Sequence, residues 1–385
     1  MRKRSIRFLN ATAEILSFVN PEPAAQGWTE RPDNRPMAMP DCAPINAAPT
    51  NAASSGVTLD RKTLKALARR SDRPGLLYLA QWSGGLLATG ALVWLSLGTA
   101  WMWPAMFVHG VLLTVPAYAL SHETAHGTAF RSRRLNETVL WLTSLIYMEE
   151  PLHRRYTHTN HHTYTWHVGK DCQMPFDTPI TLGGWLAEAS GLALLRYQAT
   201  VLPRLAAGRY TGVMRTVTPA GELPKMTRNA RLFLLVYAGA ALFAAFGASW
   251  LLWSLVLPRL LGMPVMMLFT LIQHVEMQEN SPSITESTRS FRTDRLGGFL
   301  YANMNWHVEH HLYPQVPFFA LPALSRAVAG QVPAPDPGFF RSNREVFVVV
   351  VRRTLGLSTG APSIRQAPHM ISDGGAFERV ARRTM

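Results

Sequence analysis

From Pro74 to Ser121 the chain carries no Asp, Glu, Lys or Arg. A bilayer-spanning helix needs roughly 20 predominantly apolar residues, so this stretch holds two helices and a tight turn. A second charge-free gap runs from Leu232 to Pro258 and a third from Leu260 to Val275; together they fit another pair. Charged residues make up only 16% of the sequence, against about 25% in an ordinary soluble domain. The sequence therefore predicts an all-α integral membrane protein with about four transmembrane helices in two hairpins. The spans read as about Leu76–Leu97, Trp103–Leu120, Leu232–Leu255 and Leu260–Val275. Trp94, Trp101 and Trp103 mark one outer turn, where interfacial aromatics belong, and Trp250, Trp253, Pro258 and Pro264 mark the other.

The net charge of +14 raises nucleic acid as a partner, but no basic-aromatic module accompanies the charge. The membrane explains it better, because cytosolic flanks of spans collect Lys and Arg. Arg61, Lys62, Lys65, Arg69, Arg70 and Arg73 stand just before the first span. With that flank inside, each hairpin crosses out and returns to the cytosolic face. Cys42 and Cys172 are the only cysteines, and no disulfide framework or CxxC site can be built from them.

Residues 1–60, punctuated by Pro and rich in Ala, Asn and Ser, are expected to form a disordered extension. The apolar segment after Met1-Arg2-Lys3-Arg4 is broken by Asn10 and Glu14, which does not suit a cleaved signal peptide. Met37 and Met39 are alternative starts, which N-terminal sequencing of native protein would settle. Residues 61–355 are expected to form the membrane domain and 356–385 a disordered tail. Leu135–Met148 is too short and too polar for a span and is expected along the interface. Pro151 breaks it, and Gly184–Val201 reads as an amphipathic surface helix.

Eight of the thirteen histidines fall in three boxes. His158, His161 and His162 spell HxxHH, as do His307, His310 and His311, and His122 and His126 spell HxxxH. On a helix, residues at i, i+3 and i+4 share a face, about 5–6 Å apart at Cβ, and neutral imidazole is the commonest metal ligand. All three boxes, with His274 at the end of the fourth span, lie at predicted inward ends of spans or in cytosolic segments. They form one layer in a cytosolic helical cap, with enough imidazoles for two metal ions. Imidazole suits iron, zinc, copper and nickel alike. Structural zinc needs no more than four ligands, so a dinuclear reactive centre fits better.

These boxes, set around two membrane hairpins, resemble the membrane fatty acid desaturases and their hydroxylase relatives. The resemblance covers roughly Arg61–Gly330. His122 and His126, then His158, His161 and His162, then His307, His310 and His311 match the family's boxes in turn. His274 matches the further histidine that follows the fourth span in the acyl-desaturase branch. The resemblance implies a non-haem di-iron centre on these nine residues. Such a centre uses dioxygen and two electrons to desaturate or hydroxylate an unactivated C–H, here most directly in a fatty acid. The stretches Glu123–Thr128 and Asn303–His311 look like a bacterial branch that includes carotenoid ketolases and rhizopine-catabolism oxygenases. Hydroxylase, ketolase and O-demethylase chemistries therefore stand beside desaturation. The chain has no haem-attachment CxxCH and no cluster cysteines, so a separate donor, an acidic ferredoxin or rubredoxin with its reductase, is expected on the basic inner face.

Other readings compete for the same residues. His122-Glu123-Thr124-Ala125-His126 also spells HExxH, with Glu123 as the base of an intramembrane metalloprotease. That enzyme needs a distant Asp ligand, and both HxxHH boxes would be idle. A metal transporter would place its ligands near the midplane, where these spans hold almost no histidine. Glu123-x-x-His126 and Glu150-x-x-His153 spell the ExxH of soluble di-iron bundles, but Pro151 interrupts the second. His153, Asn305 and Glu309 are candidates to orient the ligands from behind. His109, inside the second span and roughly 20 Å from His122 at helical rise, is expected in a substrate-channel wall.

Overall fold

The computed structural model describes residues 54–174, 176 and 178–357. Among them there are helices and no strands, and four helical stretches are long and apolar enough to cross a membrane. After the short basic helix α1 (Arg61–Leu67), the first hairpin is α2 (Asp72–Ser96) and α3 (Met102–Ala125). Gly98, at φ +78°, makes its turn. Two shorter helices follow, α4 (Arg133–Tyr147) and α5 (Pro151–Tyr164). Pro151 does break the chain, as expected, but it does so as the first residue of α5. There it has no amide to leave unsatisfied, and Glu150 caps the helix by accepting from the His153 amide. Next come α6 (Leu182–Ala189), α7 (Leu192–Ala206), and the second hairpin, α8 (Leu223–Ala245) and α9 (Leu257–His274). The six-residue α10 (His307–Leu312) carries the last box, and α11 (Phe339–Thr354) closes the described chain.

The core lies between α3 and α9. Their backbones nearly touch: a Cβ on Gly110 would lie 1.7 Å from the Pro258 carbonyl oxygen, and one on Gly262 2.0 Å from the Gly110 carbonyl carbon. Small residues of this kind let membrane helices approach to backbone contact. Since α3 ends at the first histidine box and α9 ends at His274, this crossing sets the spacing of histidines from opposite hairpins. Val115, Leu120, Met263, Met266 and Phe269 fill the same cluster. The outward faces of α2 and α8 remain apolar and exposed, as at Leu87, Leu95, Leu235 and Phe243, which is the surface a bilayer covers.

Several boundaries differ from the sequence reading. The third span starts at Leu223, not Leu232, and stops at Ala245, not Leu255. Its turn is made at Gly247, φ +114°, inside a charge-free gap where no charge could mark it. A π-helical turn, Leu252–Val256, leads into α9, so Pro264 lies within that helix and not at the turn. Arg259, which separates the two gaps in sequence, is buried. Its guanidinium donates to the carbonyls of Ile146 and Tyr147 and to Gln198 Oε1. The single helix expected over Gly184–Val201 is two, broken at Gly191, φ +79°, where an added Cβ would lie 2.3 Å from the Met263 sulfur. His109 ties helices together: it bonds Thr89 Oγ1 at 2.7 Å and the Ser254 carbonyl at 3.0 Å.

Of the expected extension 1–60, residues 1–53 lie outside the described residues, and so does the tail from 358. The stretch from Ser54 to Asp60 packs on the body. Val57 is buried in one cluster with Val308 and Leu312, and the Thr58 amide donates to Gln331 Oε1 at 2.8 Å.

Candidate metal centre

The nine histidines singled out by the sequence come together in two sets. His122, His126, His158, His162 and His310 form one, and His161, His274, His307 and His311 form the other. Within each set the ligand atoms all lie within 4.8 Å of one another. Helical geometry explains the division. The i and i+4 members of an HxxHH box lie closest in azimuth, and the i+3 member is rotated away. His158 and His162 therefore enter the five-histidine set while His161 turns to the other. In the last box His307 and His311 enter the four-histidine set while His310 turns to the first. Each HxxHH thus serves both sets, which the expectation of three imidazoles in one direction did not anticipate. The HxxxH pair on α3 completes the first set, and His274 on α9 completes the second.

The outer ring nitrogens are held by the framework. His161 Nδ1 donates to Asp171 Oδ2 at 2.8 Å, and His158 Nδ1 to Gln173 Oε1 at 2.9 Å. His274 Nδ1 donates to the Ser287 carbonyl at 2.9 Å, and His311 Nδ1 lies 3.1 Å from Thr165 Oγ1. These partners fix the tautomer, leaving Nε2 as the lone-pair atom on the inner side. There the Nε2 atoms face one another: His158 to His162 at 3.0 Å, His274 to His307 at 3.0 Å, and His307 to His311 at 3.1 Å. The Nε2 atoms of His122 and His126, and both ring nitrogens of His310, are buried without a partner among the described residues. Burying polar atoms in this state is costly, and converging lone pairs repel unless a cation lies between them.

Burial also sets the protonation state. It holds His158, His162, His307, His310 and His311 well below the usual imidazole range. His126 is pushed down to about 3, by burial first and then by the charge of Arg154. The rings are therefore neutral near pH 7, the form that binds metal.

His153, Asn305 and Glu309 are buried close by, but their hydrogen bonds go to the framework. His153 bonds the Tyr197 hydroxyl, Asn305 donates to the Phe291 carbonyl, and Glu309 accepts from Ser290 Oγ at 2.6 Å. Glu123 is likewise turned to the framework. It accepts from Thr128 Oγ1 at 2.5 Å and from the Phe318 amide at 3.1 Å, tying the first box to the loop beyond the last. Asp171 and Gln173 escaped the sequence reading. They sit in an irregular loop after α5, ten residues and fifteen residues beyond their histidine partners, where no helical period points at them.

The sequence pattern of the fatty acid desaturase family matches residues 107–343, and the chain belongs to that family. Its four long apolar helical stretches suit the membrane setting of that family. Over 266 residues it is 24% identical to the Delta(12) fatty acid desaturases of Mortierella isabellina and Mortierella alpina, covering 56% of this chain. The match covers 65% of each relative, so the chain spans less than two thirds of their length.

Proposed function

We propose that the protein is an oxygen-dependent, non-haem di-iron enzyme that attacks an unactivated C–H bond, with fatty acid (acyl-lipid) desaturation as its primary reaction. The observation that carries this reading is the pairing of two buried imidazole sets whose Nε2 atoms face one another. Family membership and the names of the two fungal relatives support the acyl substrate. His122, His126, His158, His162 and His310 would hold one iron, and His161, His274, His307 and His311 the other. Bound there, the metals supply dioxygen activation and the oxidising power for C–H cleavage. The chain's own part is to bring nine imidazoles together, orient four of them through Asp171, Gln173, Thr165 and Ser287, and bury them from water.

The glutamate of the HExxH spelling faces Thr128 and Phe318, which speaks against a protease base. The exposed cations Arg61, Lys62, Lys65, Arg69, Arg70, Arg131, Arg133 and Arg134 flank the histidine end of the first hairpin. This bias supports a cytosolic site, and the resemblance of the stretches around the boxes to a bacterial branch points to a bacterial inner membrane. It also suits electrostatic docking of an acidic ferredoxin or rubredoxin fed by its reductase. Hydroxylation, keto-group formation and O-demethylation use the same centre and differ in substrate placement. Residues 61–355 would form the catalytic unit, with 1–60 and 356–385 as its extensions.

Purified protein loaded with iron and reconstituted with ferredoxin, reductase and oxygen tests the proposal. New double bonds in acyl chains of a lipid extract are expected, and His161→Ala should lose both iron and turnover. Formaldehyde from small methylated substrates would move the assignment to demethylation. Zinc in native protein together with peptide cleavage would overturn it.

A further inference from the structure

The last described helix, α11, is divided along its length into three faces. Ser342, Val346 and Val350 form its buried face, and the two valines pack with Leu271 and Val275 at the inward end of α9. At about 100° per residue, the outward half splits in two. On one flank stand Phe340, Phe347 and Val351, spaced i, i+7 and i+11; Phe340 is 85% exposed. On the other stand Arg341, Glu345 and Arg352, spaced i, i+4 and i+11, with Arg344 and Val348 between the flanks.

Neighbouring helices prolong the apolar flank. The Trp185 ring of α6 meets Phe347 at 4.9 Å between centroids, and Leu186 beside it is 52% exposed. Next to α6 lies α7, with Leu192 exposed, and α7 packs along the membrane span α8. Exposed apolar side chains therefore run from α11 to the face of α8 that a bilayer covers. Depth agrees with this. Phe339 packs on Phe269 of α9, ring centroids 4.3 Å apart, which stands five residues before His274. At helical rise that is about 7.5 Å toward the bilayer centre, so α11 begins on the membrane side of the histidines.

A helix with one apolar and one cationic flank is suited to the plane of a membrane interface. Exposed Arg341, Arg344 and Arg352 outnumber Glu345, which pairs with Arg341 at 2.9 Å. That excess of positive charge complements anionic lipid phosphates. We infer that α6 and α11 form an in-plane seat in the leaflet on the histidine side of the bilayer. Phe340, Phe347, Val351 and Leu186 lie among its acyl chains, and Arg341, Arg344 and Arg352 meet the phosphates of anionic lipids. The seat is independent of the metal-centre reading, since none of its side chains is a proposed ligand.

Full-length protein in nanodiscs of phosphatidylcholine and phosphatidylglycerol tests this. p-Benzoylphenylalanine replaces Phe340, Phe347, Arg341 or Arg352 singly, the discs are irradiated, and mass spectrometry identifies what the probe joins. The same probe at Leu235, on the exposed face of α8, supplies the yield of a span in lipid. Lipid adducts at Phe340 and Phe347 should approach the Leu235 yield and exceed those at Arg341 and Arg352 by roughly threefold or more. Among the Phe347 adducts, phosphatidylglycerol should be enriched roughly twofold over its share of the disc. Replacing Arg341, Arg344 and Arg352 together with Gln should remove that enrichment while the adducts persist. Lipid yields at Phe340 and Phe347 no higher than at the arginine positions would overturn the seat. Attachment at Phe347 to a second copy of the chain would also overturn it, because the apolar flank would then be a contact between copies. Undiminished enrichment in the triple variant would overturn the part given to the arginines. No readout requires iron or turnover, so failure of the di-iron proposal would leave all of them unchanged.

Discussion

Asp171 Oδ2 accepts a hydrogen bond from His161 Nδ1 at 2.8 Å while also accepting from the Trp166 amide at 2.9 Å. The carboxylate thereby orients a ring of the four-histidine set and pins the loop that follows α5. Its other oxygen accepts from the Gln173 amide at 2.8 Å, and Gln173 in turn holds His158 of the five-histidine set. One short loop therefore orients a ligand in each set. Replacing Asp171 with Asn removes the charge and keeps the shape. Metal affinity should fall about 10- to 100-fold, with the loss centred on the four-histidine set. Iron retained per protein against increasing chelator measures it; retention equal to that of the unaltered protein would show that Asp171 does not orient the site.

Eight of the nine imidazoles were legible because two independent signals converge on them: the HxxHH and HxxxH spellings place them on helix faces, and the charge-free gaps place those helices at one membrane edge. His274, outside any box, was legible from the end of the fourth span and the family resemblance. Asp171 and Gln173 were not legible, since a loop between helices has no period to extrapolate. The division of each HxxHH between two sets follows from helical azimuth, but it needed His274 and the opposing box in place before it could be assigned. Charge gaps found both hairpins yet misplaced the second turn. Gly247 makes that turn inside lipid-compatible sequence, whereas Arg259 interrupts the gap from within a helix by satisfying itself on carbonyls.

Glu123 offers a direct contrast between a brace and a catalytic base. Its carboxylate joins Thr128 to the Phe318 amide, so Glu123→Ala leaves a buried amide unsatisfied. That loss costs about 1–3 kcal/mol and should lower the unfolding midpoint in detergent, with activity falling in step. Glu123→Gln keeps an acceptor oxygen and should recover most of the stability. A proteolytic base would behave otherwise, with Gln as inactive as Ala and neither variant destabilised.

Gly262 has no room for a side chain. A Cβ there would lie 2.0 Å from the Gly110 carbonyl carbon and 2.4 Å from the Val111 nitrogen, and backbone cannot step aside as a side chain can. Gly262→Ala should therefore separate α3 from α9. Because those helices carry His122, His126 and His274, iron loading should drop even though no ligand is altered. Gly84→Ala, at a position with open space around its Cβ, serves as the control. Equal iron content and equal thermal stability in the two variants would show that the crossing does not set the spacing of the histidines.

Glu150 gives the clearest pH dependence outside the metal layer. Burial is the main cause that raises its carboxyl from 4.5 to about 7, against the opposing hydrogen bonds from Asn229 and the His153 amide. Between these values the folded protein keeps a proton that the unfolded chain has released. Stability from this group is therefore fully present below pH 4.5, declines as pH rises toward 7, and is flat above, a loss of up to about 3 kcal/mol. Glu150→Gln resembles the protonated form: its amide oxygen can still accept from the His153 amide and cap α5, and it cannot ionise. Compared with the unaltered protein, this variant should be close to neutral at pH 5 and should gain relative stability by pH 8. Taking the difference of unfolding midpoints at each pH cancels every group that both proteins share, including His153, whose ring burial depresses to about 4. If the variant instead loses ground as pH rises, Glu150 is stabilised as an anion and the burial argument has the wrong sign.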